Sequence, residues 1–231
     1  ELGANMGTYG IPEFRTSFTQ KMIDDSHPDC FADLVRISGF SHGTNVWLGN
    51  AQDLIKAGTS TLKDAISARD DIMNYLMQNG IDPLLSFQTM ENVRKDRGIA
   101  ADVVEKLRAG GIPEWYIESC QKIKYLFPRA HATAYVMMGC RIAFFKVHYP
   151  LAYYAAYFSV RAAEFDANII SKGKDAVRAA IDALLAEARE HRGELDKKKQ
   201  ETLIVLQLAW EMYLRGFSCE PVDLYASDAE K

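Results

Sequence analysis

The chain has 231 residues, 48% hydrophobic and 25% charged, with only seven prolines and 15 glycines. This is an ordinary globular composition, long enough to bury roughly 70–75% of its unfolded surface without a disulfide or metal, and it excludes disordered, collagen-like and coiled-coil classes. Four scattered cysteines (Cys30, Cys120, Cys140, Cys219) form no CxxC pair, which argues against a zinc cluster or a secreted disulfide framework. The chain opens Glu-Leu-Gly-Ala-Asn, without an initiator Met, and reads as a segment of a longer, cytoplasmic polypeptide. The most apolar stretch, 133–160, is interrupted by Arg141, Lys146, His148 and Pro150, so it is not a clean membrane span.

The hydrophobic pattern is helical nearly throughout, and no segment sustains a period of two. Helices are expected over 12–24, 29–37, 50–57, 61–79 (one helix or two short ones), 83–97, 100–109, 113–126, 130–147, 150–164, 166–191 and 196–215. Pro12, Pro83, Pro113 and Pro150 stand where helices should start. Gly80, Gly98, Gly110, Gly193 and Gly216 lie just past expected ends. Residues 1–164 form a dense series of short helices. Residues 165–216 read as a long helical hairpin with Val177, Ile181, Leu184, Leu185 and Ala188 on one stripe and a charged turn at Arg192, Gly193 and Glu194. Lys197–Lys199 reads as a solvated helix start. The tail, 217–231, reads as a linker that is extended over 217–225. The fold class is all-α.

The net charge, 27 basic against 31 acidic residues, hides an uneven distribution. Residues 119–161 carry six cations (Lys122, Lys124, Arg129, Arg141, Lys146, Arg161), ten aromatics and no acid, which leaves the rest of the chain with 21 basic against 31 acidic residues. Such a tract is either a footprint for phosphates and bases or an aromatic core whose cations reach outward to water.

The common catalytic signatures are absent: there is no GxSxG, phosphate-binding P-loop, HExxH or GxGxxG. Asp70-Asp71 and Asp24-Asp25 are adjacent pairs, whose side chains diverge by about 100° on a helix, so they read as helix-end or surface acids. No catalytic residue and no metal site is expected in this segment. Three segments remain. Ser38-Gly39-Phe40-Ser41-His42-Gly43 reads as a tight turn that either cradles phosphate or a base edge, or joins two helices with Ser41 as an N-cap. Arg94, Lys95 and Arg97 fall in one last helical turn before Gly98, where they either complement the helix dipole or form a polyphosphate site. In the third segment Lys122 and Lys124 precede Phe127, and Pro128 breaks the chain before a small-residue helix start. There His131, Tyr135, Met138 and Ile142 form one stripe, which is either core or a stacking surface.

The strings Leu34-Val35-Arg36-Ile37-Ser38-Gly39-Phe40-Ser41-His42-Gly43-Thr44, Val46-Trp47-Leu48-Gly49-Asn50-Ala51-Gln52, Arg69-Asp70-Asp71-Ile72-Met73 and Met90-Glu91-Asn92-Val93-Arg94-Lys95 occur in order. Lys122-Ile123-Lys124-Tyr125-Leu126-Phe127-Pro128-Arg129-Ala130-His131-Ala132 and Phe145-Lys146-Val147-His148-Tyr149-Pro150-Leu151 follow. With these motifs the chain resembles the fingers region of PolC-type DNA polymerase III alpha subunits, of the C family of replicative polymerases. The resemblance implies a module that positions an incoming dNTP and the nascent base pair. Arg94, Lys95, Arg97 and Arg129 would meet the triphosphate. Ser38, Gly39, Ser41, His42, Gly43, Phe127, His131 and Tyr135 would line the pocket, and Lys122, Lys124, Arg141 and Lys146 would follow the DNA backbone. It also implies Mg²⁺ bound by a palm domain outside this segment. The implied partners are primer–template DNA, dNTP, palm and thumb domains of the same polypeptide, and a sliding clamp. Phe40, Asn45 and Arg129 stand where the family commonly has Leu, Asp and Lys, and Asn79 where some members have a basic residue, so no triphosphate role is expected there. A DnaE-type fingers segment, or a non-enzymatic helical DNA-binding or scaffolding module, is the alternative.

Overall fold

The structure, a computed structural model, describes residues 7–190, 193, 195–225 and 227. The described residues contain twelve α-helices and no strand. They are α1 (Ser17–Ser26), α2 (Phe31–His42), α3 (Gln52–Lys56), α4 (Arg69–Gln78), α5 (Pro83–Arg94), α6 (Ala101–Ala109), α7 (Glu114–Lys122), α8 (Arg129–His148), α9 (Pro150–Ala156), α10 (Ala167–Ile170), α11 (Lys174–Glu190) and α12 (Lys197–Leu214). None of the described helices is long and apolar enough to cross a membrane. The chain forms two compact units. One is Thr16–Met138; the other joins the chain up to Arg15 with Gly139 onward, so α8 contributes to both.

Several boundaries depart from the sequence expectation for identifiable reasons. The first helix starts at Ser17 rather than at Pro12, because Glu13 adopts a left-handed backbone (φ 71°) and Thr16 caps the helix by accepting the Thr19 N–H. Pro83 and Pro150 do stand at helix starts, where the missing N–H costs nothing. The chain expected to be helical over 61–68 is a turn, and α4 begins only at Arg69. The helix expected to reach residue 126 ends at Lys122, and the chain runs extended to pair Tyr125 with Thr44. The helix expected over 166–191 is split into α10 and α11, with Gly173 between them at φ 98°. At the α6 end it is Gly111, not Gly110, that takes the left-handed conformation. Arg192 and Glu194 of the expected charged turn lie outside the described residues, as do the opening residues 1–5 and much of the end of the tail.

In the Thr16–Met138 unit, α1 packs on α2 and α4 on α5. Met22, Ile37, Phe40, Ile72, Leu76, Leu107, Tyr116, Ile117 and Leu126 are fully buried. Phe40 meets Trp47 at 5.1 Å between ring centroids, and Tyr75 stacks on Tyr116 at 4.1 Å. In the other unit, α11 and α12 form the expected hairpin arms. Ile170, Val177, Ile181, Val205, Leu206, Ala209 and Trp210 form its core, with Leu184 and Leu185 packed against it. Gly10 (φ 70°) touches this unit's interior so closely that a Cβ would lie 2.3 Å from the Tyr153 hydroxyl.

One cation of the basic tract is an organiser of this second unit. Lys146 is 4% exposed. Its ammonium donates to Gly7 O at 2.8 Å, Tyr9 O at 2.5 Å and Glu211 Oε2 at 2.8 Å. Glu211 Oε1 also accepts the Tyr154 hydroxyl at 2.7 Å. Arg215 donates to Tyr154 Oη and to Lys146 O. Burial pushes the Lys146 ammonium pKa down against the pull of Glu211. The expectation that Lys146 follows the DNA backbone is therefore corrected: an ammonium has three protons, and all three are taken inside the protein. Lys146→Met should strand Glu211 Oε2 and two carbonyls, costing about 3–5 kcal/mol. Denaturant unfolding of the purified chain measures this, and a loss below about 1 kcal/mol would show the pair to be dispensable.

Candidate functional site

The third segment is shaped by extended backbone between α7 and α8. Thr44 N–H donates to Tyr125 O at 3.0 Å, and Lys124 N–H donates to Thr44 O at 3.1 Å. Arg69 N–H donates to Phe127 O at 3.4 Å. These bonds fasten Phe127 beside the end of α2. Four rings then follow one another: His42 and Phe127 at 4.7 Å, Phe127 and His131 at 6.1 Å, His131 and Tyr135 at 6.5 Å. His42, His131 and Tyr135 are exposed and Phe127 is half-buried. Of the two readings of the stripe, core and stacking surface, the solvent exposure of His131, Tyr135 (44%) and Met138 (45%) favours a surface. Ala130 and Ala134 on the same helix are small and exposed, which keeps the rings accessible.

The Ser38–Gly43 segment is not the tight turn expected from its composition. Residues 38–42 complete α2. Ser38 is fully buried. Ser41 is half-buried and donates through its hydroxyl to Ser38 O at 2.9 Å, so it is no N-cap. The two glycines serve close approach. A Cβ at Gly39 would lie 2.5 Å from Ser67 O, and one at Gly43 would lie 2.4 Å from Val46 Cγ2 and 3.1 Å from Tyr125 O. Of this string, His42 is the exposed residue that joins the rings.

Arg129 opens α8 and is held at both ends by consecutive acids. Its backbone N–H donates to Asp70 Oδ2 at 3.0 Å, and its guanidinium donates to Asp71 Oδ1. Asp71 is buried, and Arg36 Nη1 stands 3.5 Å from its other oxygen. Burial, and then the neighbouring Arg36 charge, lower the Arg129 pKa, opposed by Asp70. The guanidinium side chain remains 39% exposed.

Arg94 is the only one of its three cations in a helix. Lys95 is the C-cap and Arg97 lies beyond a left-handed Asp96 (φ 55°). Arg94 makes a two-pronged contact with Glu91, whose Oε2 lies 2.9 Å from Arg94 Nη2 and 2.6 Å from Lys95 Nζ. Arg97 is exposed. Lys122 donates to Gly49 O at 3.1 Å and, like Lys124, is exposed. Arg141, in the other unit, is exposed as well. Arg36 and Glu91, which also organise the site, were not singled out in the sequence, and Asp70 and Asp71, read there as helix-end or surface acids, stand at the start of α4 but turn towards Arg129. Glu91 carried a usable signal, because spacings of three and four on a helix bring an acid against Arg94 and Lys95.

Residues 1–112 match the family described as the finger domain of the bacterial DNA polymerase III alpha subunit. Over all 231 residues the chain is 52% identical to DNA polymerase III PolC-type of Caldanaerobacter subterraneus subsp. tengcongensis and 51% identical to that of Thermotoga maritima. It is 50% identical over 229 residues to that of Staphylococcus saprophyticus. The chain spans 16% of the length of each of these relatives. Its first 112 residues are thus similar to that finger-domain family, and its whole length is similar to one part of PolC-type DNA polymerase III.

The hydrogen bonds from Arg94 and Lys95 hold the Glu91 carboxyl at a pKa of about 2. The unfolded value is about 4.3, so the pairing stabilises the fold fully above that pH and its contribution is lost as pH falls through about 2. Carboxyl-carbon NMR titration should place Glu91 near 2; titration at an ordinary glutamate value would show that the pairing does not hold in solution.

Proposed function

We propose that this chain is the fingers portion of a replicative, cytoplasmic DNA-directed DNA polymerase, and that it positions the incoming dNTP and the nascent base pair for nucleotidyl transfer. The reading rests on one juxtaposition: a ladder of four rings, three of them exposed, beside a helix start that carries an oriented arginine. Flat exposed rings in a row offer stacking faces to bases. A guanidinium offers paired donors to phosphate oxygens, and a helix N-terminus favours an anion.

In this reading Arg129 meets the triphosphate, and Arg94, Lys95 and Arg97 supply further cations to the phosphates. His42, Phe127, His131 and Tyr135 face the nascent pair. Ser38, Gly39 and Gly43 act from behind, by setting the end of α2 against its neighbours. Lys122, Lys124 and Arg141 track the DNA backbone. The fingers supply orientation and charge stabilisation to the attack of a primer 3′-hydroxyl on the α-phosphate.

The parent reaction uses Mg²⁺, which assists such displacements by neutralising developing charge. Among the described residues, the group with metal-ligand spacing is Asp29, Cys30 and Asp33. A thiol at a helix start does not suit a cation that takes oxygen ligands in octahedral geometry. The family resemblance assigns the ion to a palm domain outside this segment. Primer–template, dNTP, palm, thumb and sliding clamp remain the expected partners.

In the full-length polymerase, Arg129→Ala and Arg94→Ala should raise KM for all four dNTPs alike, since a triphosphate carries no base identity. Losing a charge-assisted contact should cost about 1.5–3 kcal/mol. Tyr135→Ala should cost about 1–3 kcal/mol and depend on which pair is forming. Steady-state kinetics beside melting curves measures both effects. Unchanged KM in folded Arg94→Ala and Arg129→Ala enzymes would refute the triphosphate assignment. Charge reversal at Lys122 and Lys124 should flatten the salt dependence of primer–template binding; an unchanged slope would place both lysines off the DNA.

A further inference from the structure

The Asp71 carboxylate is more heavily bonded than a helix-start acid requires. Its Oδ2 accepts the Ser67 N–H at 2.9 Å, the Ser67 hydroxyl at 2.7 Å and the Ala68 N–H at 2.9 Å. Arg36 Nη1 stands 3.5 Å from the same oxygen and donates to Ala65 O at 3.0 Å. One oxygen therefore satisfies the turn that precedes α4. The other oxygen, Oδ1, is spent on Arg129 alone among the described contacts.

That division of labour has a consequence for Arg129. A carboxylate fixed by three donors of its own turn cannot swing, so the guanidinium bonded to it is fixed as well. The Arg129 backbone is pinned independently through Asp70. Arg36 and Arg129 offset Asp70 and Asp71, so the cluster is neutral as a whole, and the acids orient the arginine while its outward N–H groups stay in water. The Arg129 side chain stays 39% exposed, and only one of its five N–H donors is used by Asp71.

We infer that Asp71 is a positioning residue for nucleotide binding: it holds the Arg129 guanidinium in the orientation that receives the triphosphate, without touching the nucleotide itself. The inference rests on the proposed reading of Arg129. Fixing a long side chain before binding removes the entropy that ordering it would otherwise cost. Gly39 supports the same arrangement, since its missing Cβ admits Ser67 O against α2.

The test uses the full-length polymerase on primer–template, with Asp71→Asn, Arg129→Ala and the double variant. Asparagine keeps the shape of Asp71 and removes its charge. Asp71→Asn should raise KM for every dNTP about tenfold, with kcat and primer–template affinity within about twofold of wild type. Arg129→Ala should raise KM at least as much, and the double variant no further than Arg129→Ala alone. If Asp71→Asn leaves KM unchanged while Arg129→Ala raises it, the inference is overturned and the reading of Arg129 stands. Additive effects in the double variant also overturn it, because Asp71 would then act by another route. If Arg129→Ala leaves KM unchanged, it is the reading of Arg129 that fails. Should Asp71→Asn not fold, Ser67→Ala removes one donor to Oδ2 and keeps the charge. It should raise dNTP KM about two- to threefold, and an unchanged value overturns the inference.

Discussion

A carboxylate taken out of water must be surrounded by donors, and Asp71 shows how far that requirement shapes the Thr16–Met138 unit. Its partners come from three other places in the sequence: Arg36 on α2, the 65–68 turn, and Arg129 at the start of α8. Satisfying one buried charge thus brings together segments almost a hundred residues apart. The first turn of α8 is placed by this network, and the exposed rings follow from it, because His131 lies in that turn and Tyr135 in the next. Asp70 completes the junction by capping α8 from outside the helix.

The other unit uses the same physics with the sign reversed. Lys146 is the buried charge, and two carbonyls with Glu211 are its required partners. The two cases explain why the basic tract of 119–161 divides by role. Lys122 and Lys124 keep their charge in water, Arg129 shares it with an acid, and Lys146 spends it wholly inside. Composition places the six cations in one stretch, but only burial tells a cation available to phosphate from one that is already neutralised.

The all-α class and most helix positions were legible, because a 3.6-residue apolar period and helix-start prolines are local signals. The breaks were less so. The extended 123–127 segment is set by a distant partner, Thr44, which a local pattern does not contain. The two glycines of Ser38–Gly43 suggested a turn, yet they admit Ser67 and Tyr125 against α2, a tertiary demand. His42, Phe127, His131 and Tyr135 were marked from residue type and family resemblance, and the structure brings their rings into sequence. Asp71 does stand at a helix start, as read from the sequence, but its role as a buried hub was not legible, because adjacent acids on a helix ordinarily diverge into solvent and its burial depends on the approach of α2 and α8.

The central claim is that the α8 start, with its oriented arginine and its ladder of rings, faces the incoming nucleotide. A cryo-electron microscopy structure of the full-length polymerase with primer–template and an unreacted dNTP tests it directly. The account expects a triphosphate oxygen within about 3 Å of an Arg129 nitrogen, the Asp71 contact retained, and the nascent pair against the Phe127–Tyr135 rings. A nucleotide bound with Arg129 still paired to Asp71 but beyond about 8 Å, outside even the physiological screening length, would contradict it.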